Sequence, residues 1–187
     1  MYPHNVADYM RRINMWSIIL PVFIVLLIAA NVFMPYPWHA SCVIKWKIPL
    51  DCDTVKNKIV NQIKEWETTE CPGVSEECPK LPCGQKCLYN FTSYQEEDKI
   101  ITATHETPKH RYIDDLTFKL SEVSSVKCDV KATSRSRTWY AVLDFSTNYC
   151  NLRNLIEGAG LSEMESFEEM TKDSVCTQYS SRDCQRY

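Results

Sequence analysis

Two groups of side chains have the types and spacing to do chemistry. Cys71, Cys78, Cys83 and Cys87 place four potential thiolate ligands within seventeen residues, the donor set of a tetrahedral zinc site. No Cys-x-x-Cys pair occurs in the chain, however, and zinc ribbons and thioredoxin-type redox centres both rely on that tight knuckle. Disulfides are therefore the expected fate of the thiols, and no metal is expected. His105 and His110 flank the turn Thr107-Pro108-Lys109 and, with Asp114 or Asp115, have the composition of a metal or acid–base site. His105 also shares the strand parity of Ile101 and Ala103, and this makes it a hydrogen-bonded histidine near the core.

Asp51-Cys52-Asp53 resembles the Asp-x-Asp pair that holds metal and sugar nucleotide in glycosyltransferases. It stands at a helix start, where N-capping accounts for Asp53. Gly-x-Ser-x-Gly and His-Glu-x-x-His are absent, and the four glycines, at 73, 84, 158 and 160, cannot build a phosphate loop. No catalytic residue and no cofactor is assigned, so a non-enzymatic protein is expected.

The elements that would position these groups follow from the placement of cysteine. All ten (Cys42, Cys52, Cys71, Cys78, Cys83, Cys87, Cys128, Cys150, Cys176 and Cys184) come after an uncharged apolar run from Trp16 to Met34. As a helix that run would be about 28 Å long, close to a bilayer's hydrocarbon thickness. The sequence thus predicts a tail over 1–15, a transmembrane signal anchor over 16–36 and a disulfide-rich α+β domain over 37–187. Arg11 and Arg12 before the run favour a cytoplasmic N-terminus, and thiols at this density persist as disulfides in a lumen or outside the cell. The expected topology is single-pass type II. Asn90-Phe91-Thr92, an N-glycosylation acceptor, falls on the same side as the cysteines. The tail carries +1 and removing it from the −3 total leaves −4, which points away from nucleic acid as a partner.

Within the domain, Val55, Ile59, Val60, Ile63 and Trp66 recur at threes and fours and predict a helix over 53–66. Five strands forming an antiparallel meander are predicted over 86–94, 99–107, 112–120, 126–134 and 138–147. The clearest alternation is Leu116, Phe118 and Leu120 against Asp115, Thr117 and Lys119. A helix over 149–157 stops at Gly158-Ala159-Gly160, and Ser162 with Glu165 reads as a capping box opening a third helix through Met164, Phe167 and Met170.

Successive turns of a meander alternate between the two ends of the sheet. Lys109, His110 and Arg111 should therefore share one end with Arg135 and Arg137, forming a candidate binding surface, with Glu96, Glu97, Asp98 and Glu122 at the other. The preferred function is a membrane-anchored recognition domain for a protein or glycan partner. Two alternatives are a carrier holding an apolar small molecule or lipid in a pocket lined by Tyr112, Phe118, Trp139, Leu143 and Phe145, and a lumenal enzyme lacking a recognised motif.

Overall fold

The computed structural model describes residues 15–33, 36–69, 71 and 85–184, and within the first helix the side chains of 16–26 only. The chain divides into two units, Met1–Pro35 and Tyr36–Tyr187. In the first, helix α1 runs Met15–Phe33 with Pro21 inside it. The expected membrane-spanning helix is corrected here: among the described residues no helix is long and apolar enough to cross a membrane. Of the predicted tail over 1–15, residues 1–14 lie outside the described residues and Met15 opens α1.

The second unit is α+β. Its elements are β1 Ser41–Ile48, α2 Cys52–Glu65, β2 Tyr89–Gln95, β3 Ile100–Glu106, β4 Ile113–Ser124, β5 Lys127–Ser136, α3 Thr147–Gly158 and β6 Glu168–Met170, followed by one-turn 3-10 segments at Asp173–Val175 and Tyr179–Ser181. The sheet has six antiparallel strands in the order β2-β3-β4-β5-β1-β6, not five in a meander. Strands β2 to β5 do follow one another as hairpins. The fourth neighbour is β1, a strand the sequence reading left unassigned, which pairs with β5 from Ser41↔Arg135 to Ile48↔Cys128.

Alternation places the core. On β1 Cys42, Ile44, Trp46 and Ile48 are buried, and Cys128, Val130 and Ala132 match them on β5. The strands' other faces are polar, as a sheet covered on one side requires. Two amphipathic helices supply that cover: α2 buries Val55, Ile59 and Ile63, and α3 buries Leu152, Leu155 and Ile156. Helix α2 is capped by Asp51, whose carboxylate accepts from the Thr54 N–H at 2.8 Å, rather than by Asp53. That hydrogen bond also holds the Asp51 carboxyl below its ordinary range. At the end of α3 the two glycines divide their roles. A Cβ on Gly158 would stand 2.7 Å from the Trp66 ring, so the helices touch there, and Gly160 takes the left-handed φ of +66°.

Two more predicted elements are corrected. Thr138–Thr147 is not a strand but a loop leading into α3, and the segment from Ser162 is not a helix; it reaches β6. Tertiary contacts overrule the spacing of Met164, Phe167 and Met170, because Glu169 on β6 accepts from Trp46 Nε1 at 2.9 Å, Tyr149 Oη at 2.8 Å and Arg153 Nη1 at 3.0 Å. That carboxylate ties the short edge strand to β1 and α3 together.

Among the described residues four disulfides join separate segments: Cys42–Cys176, Cys52–Cys128, Cys71–Cys87 and Cys150–Cys184. Cys78 and Cys83 lie outside the described residues. Two of the bridges fix the C-terminal segment, one to the start of β1 and the other to α3.

Candidate functional site

One end of the sheet gathers the start of β1, the β3–β4 turn, the end of β5 and the loop entering α3. That loop, Trp139-Tyr140-Ala141-Val142-Leu143-Asp144-Phe145, displays apolar surface: Trp139 is 85% exposed and Phe145 72% exposed, with Tyr140 and Leu143 also open to solvent. Trp38 is exposed just before β1, where Ala40 N–H donates to Ala141 O at 2.9 Å. Isolated exposed apolar side chains are ordinary; here several fall together on one short loop.

Polar groups from far along the chain hold the loop in shape. Gln178 Oε1 accepts from the N–H groups of Asp144 at 3.0 Å and Phe145 at 2.7 Å, and Gln178 O accepts from Ser146 Oγ at 2.7 Å. Phe145 and Ser146 both adopt left-handed φ, 53° and 68°, a conformation costly for side-chain-bearing residues and held here by those bonds. Gln178 is itself placed by the bridges at Cys176 and Cys184. Asp144 takes the start of α3, accepting from Ser146 N–H at 3.1 Å, Asn148 N–H at 3.1 Å and Asn148 Nδ2 at 2.6 Å.

From Asp144 a line of hydrogen bonds runs under the sheet. Ser134 Oγ donates to Asn148 Oδ1 at 2.6 Å, Asn151 Nδ2 reaches Ser134 Oγ at 3.3 Å, and the same nitrogen donates to Asp114 Oδ2 at 2.7 Å. Burial pushes the Asp114 carboxyl up to about 6, against the lowering hydrogen bonds of Asn151 and Ser136, and the charges of Asp144 and Asp115 add to the rise. Asp144 is raised by burial too. Directly across from Asp114, His105 is fully buried with Nε2 3.1 Å from Gln85 O. Burial pulls its imidazole down to about 4, against backbone hydrogen bonds at Gln85 and Cys87. Between about pH 4 and 6 both groups are therefore neutral.

The expected binding surface is brought together at this end, with half of its charge already engaged. Arg137 makes a bidentate pair with Asp115, Nη2 to Oδ1 at 2.6 Å, and Arg111 pairs with Glu106. Lys109, His110 and Arg135 stay exposed outside those pairs, and His110 stacks on Tyr112 with ring centroids 5.4 Å apart. His105 and His110 are not brought together as one site. Nor are the five residues expected to line an apolar pocket: Phe118 is fully buried in the core, whereas Tyr112, Trp139, Leu143 and Phe145 face solvent. Sequence reasoning missed Gln178 and the Asn148–Asn151 pair altogether. Three asparagines on one helix face (Asn148, Asn151, Asn154) were the available signal.

No protein-family model matches the chain, and no curated protein does. Among solved structures, an NMR structure from Thermobifida fusca aligns at 11% identity over 65% of this chain and 85% of its own, with a TM-score of 0.33. A protein from Nitrosospira multiformis aligns at 14% over 67% and 97%, TM-score 0.39. The open form of parafusin, a phosphoglucomutase from Paramecium, aligns at 13% over 66% of this chain and 20% of its own, TM-score 0.32. Likenesses this distant carry no argument about activity.

Proposed function

We propose that the unit Tyr36–Tyr187 is a recognition domain of an oxidising compartment, lumenal or extracellular, that binds a protein partner through the end bearing Trp139 and Phe145. The observation that carries this reading is a strained, exposed apolar loop held by hydrogen bonds to the half-buried Gln178. Trp, Tyr and Arg dominate the energetic centres of protein interfaces, and Trp139, Tyr140, Arg135 and Arg137 meet at this end. A loop already fixed in its bound shape lowers the ordering cost of association. Four disulfides support the compartment, since such bridges persist where thiols are not kept reduced. Asn90 is exposed on β2, an edge strand, where a sugar would also block pairing with another chain.

Proximity labelling with the intact chain tests the reading. The replacements Trp139→Ala and Phe145→Ala together should deplete the labelled partner by roughly tenfold or more while leaving the thermal melt unchanged. An identical labelled set from both chains discards it. Native mass spectrometry separates the carrier alternative, which requires a retained apolar ligand.

A further inference from the structure

The face of the sheet turned away from α2 and α3 carries a second feature, separate from the apolar loop. Lys45 on β1 stands directly opposite Lys131 on β5, and Lys131 stands directly opposite Lys119 on β4. All three are exposed. With neighbouring strands about 4.8 Å apart, the row puts three ammonium groups across roughly 10 Å of sheet. Like charges facing each other across strands destabilise a sheet, so the arrangement costs stability in the unbound chain. Neighbouring carboxylates do little to relieve it. Glu168 is taken by Lys47 at 2.7 Å and Asp115 by Arg137. Asp129 lies on this face in the next row, opposite Lys47. In a chain of net charge −3 this is a segregated cationic surface.

The adjoining row toward the apolar-loop end is Val43–Thr133–Thr117–Thr102, three hydroxyls in register beside the lysines. Those hydroxyls can donate to or accept from sugar oxygens, and lysine serves anionic oxygens as a point charge. Neither the lysine row nor the threonine row includes an aromatic ring, so successive bases of a single-stranded nucleic acid find nothing to stack on. The large apolar side chains beside them, Met170 opposite Lys45, Ile100 opposite Lys119, and Val43, stand on three separate strands rather than on one helix or loop that could insert into a bilayer surface. We propose that this open face binds a linear sulfated polysaccharide, laid across the strands with its sulfates on Lys119, Lys131 and Lys45 and its hydroxyls against the threonine row.

Titration of the full chain with a heparin oligosaccharide tests the assignment. Binding should weaken steeply as salt rises, and Lys45→Gln with Lys131→Gln should weaken it roughly tenfold or more at fixed salt. Removing facing like charges should leave the melting temperature unchanged or raise it, so lost affinity cannot be read as lost folding. Lys58→Gln with Lys64→Gln, on the exposed side of α2, should bind as the parent does. Undiminished binding by the Lys45/Lys131 variant overturns the proposal. So does equal binding, at the same salt, of N- and O-desulfated heparin, single-stranded DNA or phosphatidylglycerol vesicles.

Discussion

The two ends of the sheet are built from the same kinds of connection and reach order by different routes. At the acidic end the β2–β3 turn, Glu96-Glu97-Asp98-Lys99, and the β4–β5 turn are short hairpin connections; Lys99 takes a left-handed φ of 51° and pairs with Glu122, beside the second turn, at 2.8 Å. At the other end the loop Trp139–Phe145 is held by Gln178, more than thirty residues further on, and through Asp144 by a buried relay reaching Asp114. Local turns cost little to form and present polar groups to water. The long-range loop commits buried polar side chains and two left-handed residues, and what it presents is apolar. A fold that spends stability in that way is under pressure from something besides folding.

Disulfide removal breaks the comparison most forcefully, because each end has its own long bridge. Cys42–Cys176 spans 134 residues and anchors the segment bearing Gln178; Cys52–Cys128 spans 76 and joins the start of α2 to the start of β5 at the acidic end. Loop-closure entropy assigns each about 4 to 5 kcal/mol. Paired Cys→Ser replacements should therefore lower global stability by similar amounts in denaturant titrations. They should differ locally. Without Cys42–Cys176, amide exchange over residues 138–146 should accelerate beyond the global change, whereas without Cys52–Cys128 it should track it. Equal local exchange in both variants would show that the bridges do not shape the loop.

The relay makes a prediction about pH with two opposing signs. Asp114, raised to about 6, holds more protons folded than unfolded, so it contributes stability that is present near pH 4 and lost as pH rises through 6. His105, depressed to about 4, holds fewer protons folded than unfolded, so its contribution is present above about 6.5 and lost as pH falls toward 4. Facing each other across β3 and β4, the two nearly cancel, and the parent should show little change in stability between pH 4 and 6.5. Asp114→Asn should leave a protein that loses about 3 kcal/mol on acidification across that window; His105→Asn should leave one that gains a comparable amount. Asp144, itself raised by burial, also acts on Asp114, and a residual slope in the double variant measures its share. A parent already steep in pH would show that one of the two groups is not buried as described.

How much of this was legible in the sequence depends on how local the determining contact is. The alternation of Leu116, Phe118 and Leu120, and of Cys128, Val130 and Ala132, placed β4 and β5 on their buried faces, because side-chain parity is a property of the strand alone. Val126 broke the pattern, 68% exposed in the turn. Strand β1 carried the same signal in Cys42, Ile44, Trp46 and Ile48 and went unread beside the apolar run. Residues 138–147 read as a strand because aromatic and β-branched residues fit a pleated core equally well; the long-range bonds to Gln178 that turn this segment into a loop, with Trp139 and Phe145 exposed, have no local signature. Segment 168–170 reads as helix from its local spacing because Glu169's three partners, on β1 and α3, lie up to 123 residues away. The charged end was readable from turn order, but its neutralisation by Asp115 and Glu106 needed register.

Smaller substitutions sharpen the contrast between the ends. Gln178→Ala removes one oxygen that serves two N–H groups of a solvent-edge loop, so it should cost about 1 to 3 kcal/mol, expressed mainly as faster exchange at Asp144 and Phe145 and weaker partner binding. Glu97→Ala, in the middle of the β2–β3 turn, should change stability by less than about 0.5 kcal/mol and leave binding untouched, since its charge is solvated and outside the pair that Lys99 makes with Glu122. The informative quantity is the ratio of the two effects on binding. If the acidic turn mattered to partner affinity as much as Gln178 does, the loop's long-range support would be only a way of closing the sheet, and the asymmetry between the ends would have no functional content.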